Sequence, residues 1–107
     1  MKDAEVIAFA TPIYFYEMCG QMKTLLDRSN PLFPSDYAFR DIYLLATAAD
    51  SAESSMDGAV KGLGGWIACF EKAALRGVVR GTGADGAGTI LQVPAALKSA
   101  FELGNKA

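Results

Sequence analysis

Short, nearly continuous apolar runs alternate along the chain with stretches in which apolar residues recur every three or four positions. Residues 5–10 and 42–46 are runs of the first kind, and they stop at Thr11 and Thr47. Such runs predict strands that are buried on both faces, as in a parallel sheet. A weaker run at residues 78–82 predicts a third strand.

The stretches with helical periodicity predict three helices, each of which follows a strand. In residues 19–28 the apolar positions fall at i, i+3 and i+4. Residues 53–75 contain no proline and carry one apolar stripe, which predicts the longest helix, with Gly77 as its C-terminal cap. A closing helix is predicted over residues 94–103, with Pro94 in its first turn. The remaining segments, residues 29–41 and 81–88, predict loops.

Strands that alternate with helices indicate an α/β protein, in which a parallel sheet is covered on both faces. The chain has 107 residues, of which 51% are hydrophobic and 21% are charged. These values are typical of one globular domain.

Charge and hydropathy exclude several classes of function. A formal net charge of -2 provides no broad positive surface for nucleic acid. No apolar run approaches the roughly 20 residues that span a bilayer, and the first residues do not have the pattern of a signal peptide, so we expect no membrane partner and a cytoplasmic location. Cys19 and Cys69 are far apart in sequence, which predicts free thiols and no metal site.

The chain contains no histidine. The usual general base near neutral pH is therefore missing, and so are the catalytic triads that depend on it. A bound cofactor can supply reactivity that the side chains lack, and it requires from the protein mainly position and electrostatics. The composition thus favours cofactor chemistry, with no catalytic side chain assigned.

One segment carries a specific resemblance to a known family. Residues 11–28 read TPIYFYEMCGQMKTLLDR. This segment closely resembles one that is shared by NADPH-dependent FMN reductases and related iron-sulfur flavoproteins, in which a strand leads into a Thr-Pro-hydrophobic-Tyr loop. In that family a Gly-Gln-hydrophobic-Lys element and an Asp-Arg helix end follow. The rest of the chain matches the family pattern more loosely, through the strands and the Gly65-Trp66 pair.

The resemblance implies a flavodoxin-like fold, three layers around a parallel sheet, and a flavin site on two loops. Ligands of such sheets bind beyond the carboxyl ends of the strands, where apolar side chains can cover the ring and backbone N–H groups can bind its polar edge. The implied FMN contacts are Thr11, Pro12, Ile13, Tyr14, Phe15, Thr47, Ala48 and Ala49. Tyr14 and Phe15 could instead be core aromatics, and Thr47 could cap the helix that follows it.

Family members begin with a phosphate-binding loop and two strands that precede the segment seen here. We therefore expect residues 1–107 to be a partial flavodoxin-like domain, the C-terminal portion with the third to fifth strands and their helices. The cysteines that bind iron-sulfur in some relatives also lie upstream, so no cluster is expected. The strand at residues 5–10 would keep an open edge, which predicts a homo-oligomer, most simply a dimer, or association with a separate N-terminal fragment.

The function that the resemblance implies is an FMN-dependent NAD(P)H oxidoreductase of the flavin reductase type. In such an enzyme hydride passes from the nicotinamide co-substrate to bound flavin, and electrons pass on to a small acceptor. Two alternatives stay open from the residues. One is a flavin-binding electron-transfer module without a nicotinamide site, and the other is an inactive fragment that binds FMN weakly because it lacks charge-assisted phosphate contacts.

Overall fold

Three parallel strands form the centre of the fold in a computed structural model that describes residues 1–86 and 88–107. They are β1 (Val6–Tyr14), β3 (Asp41–Thr47) and β4 (Ala74–Gly81), and the short strand β2 (Glu17–Met18) pairs antiparallel with the end of β1. The order across the sheet is β2-β1-β3-β4. The predicted α/β class and its parallel strands are confirmed.

Three helices pack on this sheet, and they are α1 (Gly20–Arg28), α2 (Asp57–Ala68) and α3 (Pro94–Lys106). Short 3-10 helices occupy Asn30–Leu32, Glu53–Met56 and Thr89–Gln92. None of the described helices is long and apolar enough to cross a membrane.

The main core lies between the sheet and the helices α1 and α2. Phe9 of β1 and Leu44 of β3 point into it, and Leu63 of α2 is fully buried against them. Trp66 packs edge-on against the Phe9 ring, with centroids 5.5 Å apart, and its indole N–H donates to Ser29 Oγ at 2.8 Å. Burying each large apolar side chain contributes about 1.5–3 kcal/mol, so this layer holds the strands in register.

The opposite face of the sheet is covered less completely. Helix α3 packs on β4, where Leu103 lies directly over Gly77 and leaves no room for a side chain. Towards β1 this cover ends, and Val6, Ala8 and Ala10 present exposed side chains. The two faces of the sheet therefore differ in how completely they are buried.

The predicted bounds of the longest helix are wrong. Instead of one helix over residues 53–75, a 3-10 turn leads into α2, which ends at Ala68, and β4 begins at Ala74. Pairing of β4 with β3 starts at Asp41 and Ala74, so long-range strand pairing overrides the helical spacing of the apolar residues. Gly77 is consequently a strand residue and not a helix cap.

The first predicted strand is too short, and the hairpin after it was not predicted. β1 continues through Thr11 and Pro12 to Tyr14, and β2 then folds back on it. Proline is tolerated in a strand where its missing N–H faces an unpaired edge, which is the situation in β1. The closing helix also runs further than the predicted residues 94–103, because it continues through Gly104 to Lys106.

Candidate functional site

A pocket of about 330 Å³ lies beyond the carboxyl ends of β1 and β3. Its volume is at the lower end of small-molecule sites, which span about 300–1,000 Å³, and it suits one ring system better than a whole dinucleotide. We call it the ring pocket. Its lining residues are Pro12, Ile13, Tyr14, Thr47, Ala48, Ala49, Ala84, Asp85 and Gly86.

The sheet brings together both loops that sequence reasoning had singled out. Pro12 pairs with Thr47 at the end of the parallel register, so the residues after each of them meet at the same edge. Six of the eight predicted contacts line the ring pocket. The other two, Thr11 and Phe15, do not line it.

The Thr11 side chain is buried and already hydrogen-bonded within the protein. Its Oγ1 accepts the Cys19 N–H at 2.9 Å and donates to the Pro12 carbonyl oxygen at 2.7 Å. Thr11 therefore ties the end of β1 to the start of α1. Its hydroxyl positions the neighbouring residues and is not free for a ligand.

Phe15 lies at the tip of the hairpin and points into solvent. It is 98% exposed, and both Phe15 and Tyr16 have left-handed backbone, with φ of 52° and 65°. Positive φ at both central residues is the pattern of a type I′ turn, which normally requires glycine or asparagine. For other residues this backbone costs about 1–2 kcal/mol each, so the aromatic turn is held in place by its surroundings.

Helix α2 supplies that support through two glycines one turn apart. A methyl group on Gly58 would overlap the Tyr16 carbonyl oxygen, and one on Gly62 would meet the Met18 side chain at 3.0 Å. The Tyr16 hydroxyl donates to Asp50 Oδ2 at 3.4 Å on the loop after β3. The hairpin that carries Tyr14 is thus seated closely on α2 and on the second loop.

Sequence reasoning missed the third wall of the pocket, residues 84–86, because it treated residues 81–88 only as a turn. The Ala84 N–H donates to the Ala48 carbonyl at 2.7 Å, and the Gly83 N–H donates to the Asp50 carbonyl at 3.1 Å. A signal was available, because β4 is parallel to β3 and its following loop must end at the same edge of the sheet.

These loop contacts decide which backbone groups can bind a ligand. The Ala48 N–H donates to the Gly81 carbonyl at 3.0 Å, so Ala48 has its N–H and its carbonyl engaged within the protein. The backbone of Ala48, which the resemblance implied as an FMN contact, is therefore bonded to the loop after β4. The next residue, Ala49, has no backbone acceptor for its N–H within residues 1–86 and 88–107.

Among the described residues that line the ring pocket, Asp85 alone carries a formal charge at neutral pH, and its side chain is exposed. No lysine or arginine lines it, so this part of the described chain suits an uncharged ring better than a phosphate. The described residues also contain no group of three or more metal-ligating side chains.

Cys19, which is buried immediately before α1, has an altered acidity. The Thr11 hydroxyl, together with the Met22 and Gln21 N–H groups at the start of α1, lowers the pKa of the Cys19 thiol. Burial acts in the opposite direction and is outweighed. The sequence around Cys19 gave no sign of this lowered pKa, since its first cause is a residue on another element.

The residues of the ring pocket fit a flavin ring in chemical character. Pro12, Ile13 and Tyr14 offer apolar and aromatic surface on one side. The Ala49 N–H and the Thr47 hydroxyl are polar groups of the kind that bind the edge of such a ring.

Comparison with known proteins agrees with this chemistry. The sequence model of NADPH-dependent FMN reductases matches residues 1–81. Among solved structures, the Trp repressor binding protein from Bacillus subtilis is similar with a TM-score of 0.76 and 25% identity. That similarity covers 91% of this chain and 61% of the other, so the chain spans less than two thirds of its length. A comparison with curated proteins found no match.

The family match and the similar structure bear on the fold that the sequence predicts. The mostly parallel four-stranded α/β sheet is consistent with the flavodoxin-like fold. The match lies at the start of the chain, so it does not support the narrower predictions that only the C-terminal portion of the family is represented and that the first two strands are absent. With 81 of its 107 residues matched, the chain belongs to the NADPH-dependent FMN reductase family.

Proposed function

We propose that this chain binds the isoalloxazine ring of FMN in the ring pocket and acts as an NAD(P)H-dependent oxidoreductase of the flavin reductase type. One observation carries the proposal. Six residues that the family resemblance implied as FMN contacts converge, with a third loop, on a single pocket at the carboxyl edge of the sheet. This edge is where open parallel sheets bind their ligands.

Each wall of the pocket has its own task in this proposal. Tyr14, with Pro12 and Ile13, covers one face of the ring, and aromatic contact of this kind contributes about 0.5–1.5 kcal/mol beyond its buried area. Thr47 and the Ala49 N–H bind the polar edge. Residues 84–86 close the remaining side and limit the access of water.

The chemistry itself belongs to the cofactor. FMN, when bound, would take a hydride from NAD(P)H and pass electrons to a small acceptor, which requires no acid or base from the protein. The chain has no histidine, and Asp85 is the one carboxylate among the described residues that line the pocket. Its residues therefore contribute orientation, exclusion of water and a hydrogen-bonded edge.

Titration of FMN into the purified chain tests the proposed site, and the hairpin provides a matched pair of variants. Tyr14 lines the pocket, whereas its neighbour Phe15 does not and is 98% exposed. We expect Tyr14→Ala to weaken FMN binding about two- to tenfold, as loss of one aromatic contact predicts, and Phe15→Ala to leave it unchanged. Flavin fluorescence measures the FMN dissociation constant of each variant. Equal effects of the two variants would contradict this placement of the ring.

A second readout separates enzyme from binding module. With FMN bound and oxygen excluded, NADPH or NADH should bleach the flavin absorbance if the chain has oxidoreductase activity. Saturable binding without bleaching would instead indicate an electron-transfer module. No binding at all would favour an inactive chain. The cytoplasmic location stays a prediction.

A further inference from the structure

A second cleft, of about 470 Å³, lies between the C-terminal ends of α1 and α2. Helices that connect parallel strands run back along the sheet, so this cleft lies towards the amino edge, opposite the ring pocket. All of its lining residues lie between Leu26 and Phe70, in the middle of the chain. We call it the aromatic cleft, and it shares no lining residue with the ring pocket.

Three aromatic side chains line the aromatic cleft. Phe70 is buried, whereas Trp66 is half-buried and Phe33 is 56% exposed. The centroid of the Phe70 ring lies 4.5 Å from that of Trp66 and 6.2 Å from that of Phe33. The rings therefore form one connected aromatic surface, which solvent reaches at Trp66 and Phe33. The face of an aromatic ring attracts cations, and tryptophan attracts them most strongly.

The charges around the aromatic cleft also favour a cation. Helix α1 ends beside it at Arg28 and α2 ends beside it at Ala68, and the C-terminal end of a helix carries partial negative charge. Asp27 adds a carboxylate, whereas none of the described lining residues is a lysine or an arginine. Lys23 pairs with Asp27 on the surface of α1, and such exposed pairs are weak enough for the carboxylate to attract a second cation.

Hydrogen bonds within the protein indicate which kind of cation fits. The Trp66 indole N–H donates to Ser29 Oγ at 2.8 Å, and that hydroxyl donates to the Leu26 carbonyl at 2.6 Å. Asp27 and Asn30 are then the exposed polar side chains of the cleft. A primary ammonium group has three N–H donors that need acceptors when it leaves water, whereas a fully methylated one has none. The cleft therefore suits a methylated ammonium better than a primary amine.

We propose that the aromatic cleft binds a small molecule that carries a trimethylammonium group. The methyl groups pack against the rings of Trp66 and Phe33, where burial of apolar surface and attraction of the cation to the rings act together. The Asp27 carboxylate and the two helix ends balance the positive charge. This site does not depend on bound flavin, so its failure and the failure of the ring pocket are separate results.

Trp66 is the only tryptophan of the chain, so its fluorescence reports directly on this cleft. Choline is the probe, and the alcohol in which a tert-butyl group replaces its trimethylammonium group is an uncharged control of the same shape. We expect choline to change the Trp66 emission saturably, with a Kd in the millimolar range, and the uncharged alcohol to bind at least about fivefold more weakly. Equal affinities, or no saturable response to choline, would overturn the proposal.

Two phenylalanines permit a matched comparison of variants. Phe33→Leu removes a ring from the cleft and keeps an apolar side chain, whereas Phe101→Leu makes the same change on α3, outside the cleft. Both side chains are exposed, at 56% and 72%, so neither variant should unfold the chain. We expect Phe33→Leu to raise the choline Kd about two- to fivefold and Phe101→Leu to leave it unchanged. Equal effects would exclude the aromatic cleft as the binding site.

The carboxylate is tested in the same titration. Asp27→Asn should raise the choline Kd about two- to threefold at low salt, and the difference should shrink as salt is added. Asp3→Asn makes the same charge change at an exposed position outside the cleft and should leave the Kd unchanged. If the two variants bind choline equally, the proposed recognition of charge is wrong.

Phosphatidylcholine vesicles present the same headgroup on a lipid surface and separate a lipid from a free ligand. We expect the chain to respond to free choline and to stay in the supernatant when these vesicles are sedimented. Binding to the vesicles without a response to free choline would identify a lipid headgroup as the ligand and overturn the assignment of a small molecule.

Discussion

At the scale of single residues, the family motif combines residues that line the ring pocket with residues that hold the pocket together. Thr11 shows the difference, because its hydroxyl is buried and bonded to the Cys19 N–H and the Pro12 carbonyl. A motif reveals which residue types recur together, but only the fold shows which of their atoms face a ligand. Thr11 is a positioning residue for the loop that follows it.

Replacement of Thr11 should therefore affect stability. Thr11→Val keeps the shape of the side chain but leaves the buried Cys19 N–H without an acceptor, which costs about 1–3 kcal/mol. Thr11→Ser retains the oxygen and should lose much less. Chemical denaturation measures the free energy of unfolding of both variants. A valine variant as stable as the wild type would show that the hydrogen bond contributes little.

The same substitution should change the acidity of Cys19. The Thr11 hydroxyl hydrogen can turn towards the thiolate, and its loss removes the main cause that lowers the Cys19 pKa. In a Cys69→Ser background, alkylation of Cys19 should therefore begin at higher pH in Thr11→Val than in Thr11→Ser. Mass spectrometry across a pH series measures the two midpoints. Identical midpoints would exclude this role for the hydroxyl.

Asp85 permits a test of electrostatics at the pocket. FMN carries a phosphate, and an exposed carboxylate on the pocket wall repels it through water at modest strength. Asp85→Asn should tighten FMN binding about two- to fivefold at low salt, and the gain should shrink as salt is added. Asp36→Asn makes the same charge change in the loop before β3 and serves as control. If Asp85→Asn and Asp36→Asn bind FMN with the same affinity, Asp85 does not lie close to the bound phosphate.

At the scale of elements, the sequence predicted the strands and helices well and their limits poorly. Helical spacing continued past the end of α2, yet residues from Ala74 onward pair with β3 instead. β2 is only two residues long, and it exists because the turn at Phe15 and Tyr16 is held from outside. Contacts between distant segments determine where α2 ends and why β2 forms. A local sequence pattern does not include such contacts.

The glycines of α2 illustrate the same limit. Of Gly62, Gly64 and Gly65, only Gly62 lies against another element, and no local pattern distinguishes it from the other two. The closest approach is at Gly58, where the hairpin backbone meets the helix.

Alanine substitutions at two of these glycines should have opposite effects. Gly58→Ala forces the Tyr16 carbonyl away and should destabilise the fold by about 1–3 kcal/mol, despite the better helix propensity of alanine. Gly64 has open space around it, so Gly64→Ala should stabilise by about 0.5–1 kcal/mol. Thermal or chemical denaturation measures both. Stabilisation by both alanines would mean that the hairpin does not sit on α2 as described.

At the scale of the whole molecule, the predicted class, the parallel sheet and the meeting of two motif loops at one edge were all readable from the sequence. They followed from apolar runs and from a specific resemblance. The third wall at residues 84–86 was not predicted, because it depends on the parallel alignment of β4 with β3.

The most direct measurement is a two-dimensional NMR titration of the isotope-labelled chain with FMN. We expect saturable shifts that cluster at the amides of Ile13, Tyr14, Ala49, Ala84 and Asp85, with little change in α1 or at the amino edge of the sheet. Shifts that cluster elsewhere, or none at millimolar FMN, would contradict the assignment of the ring pocket as the flavin site.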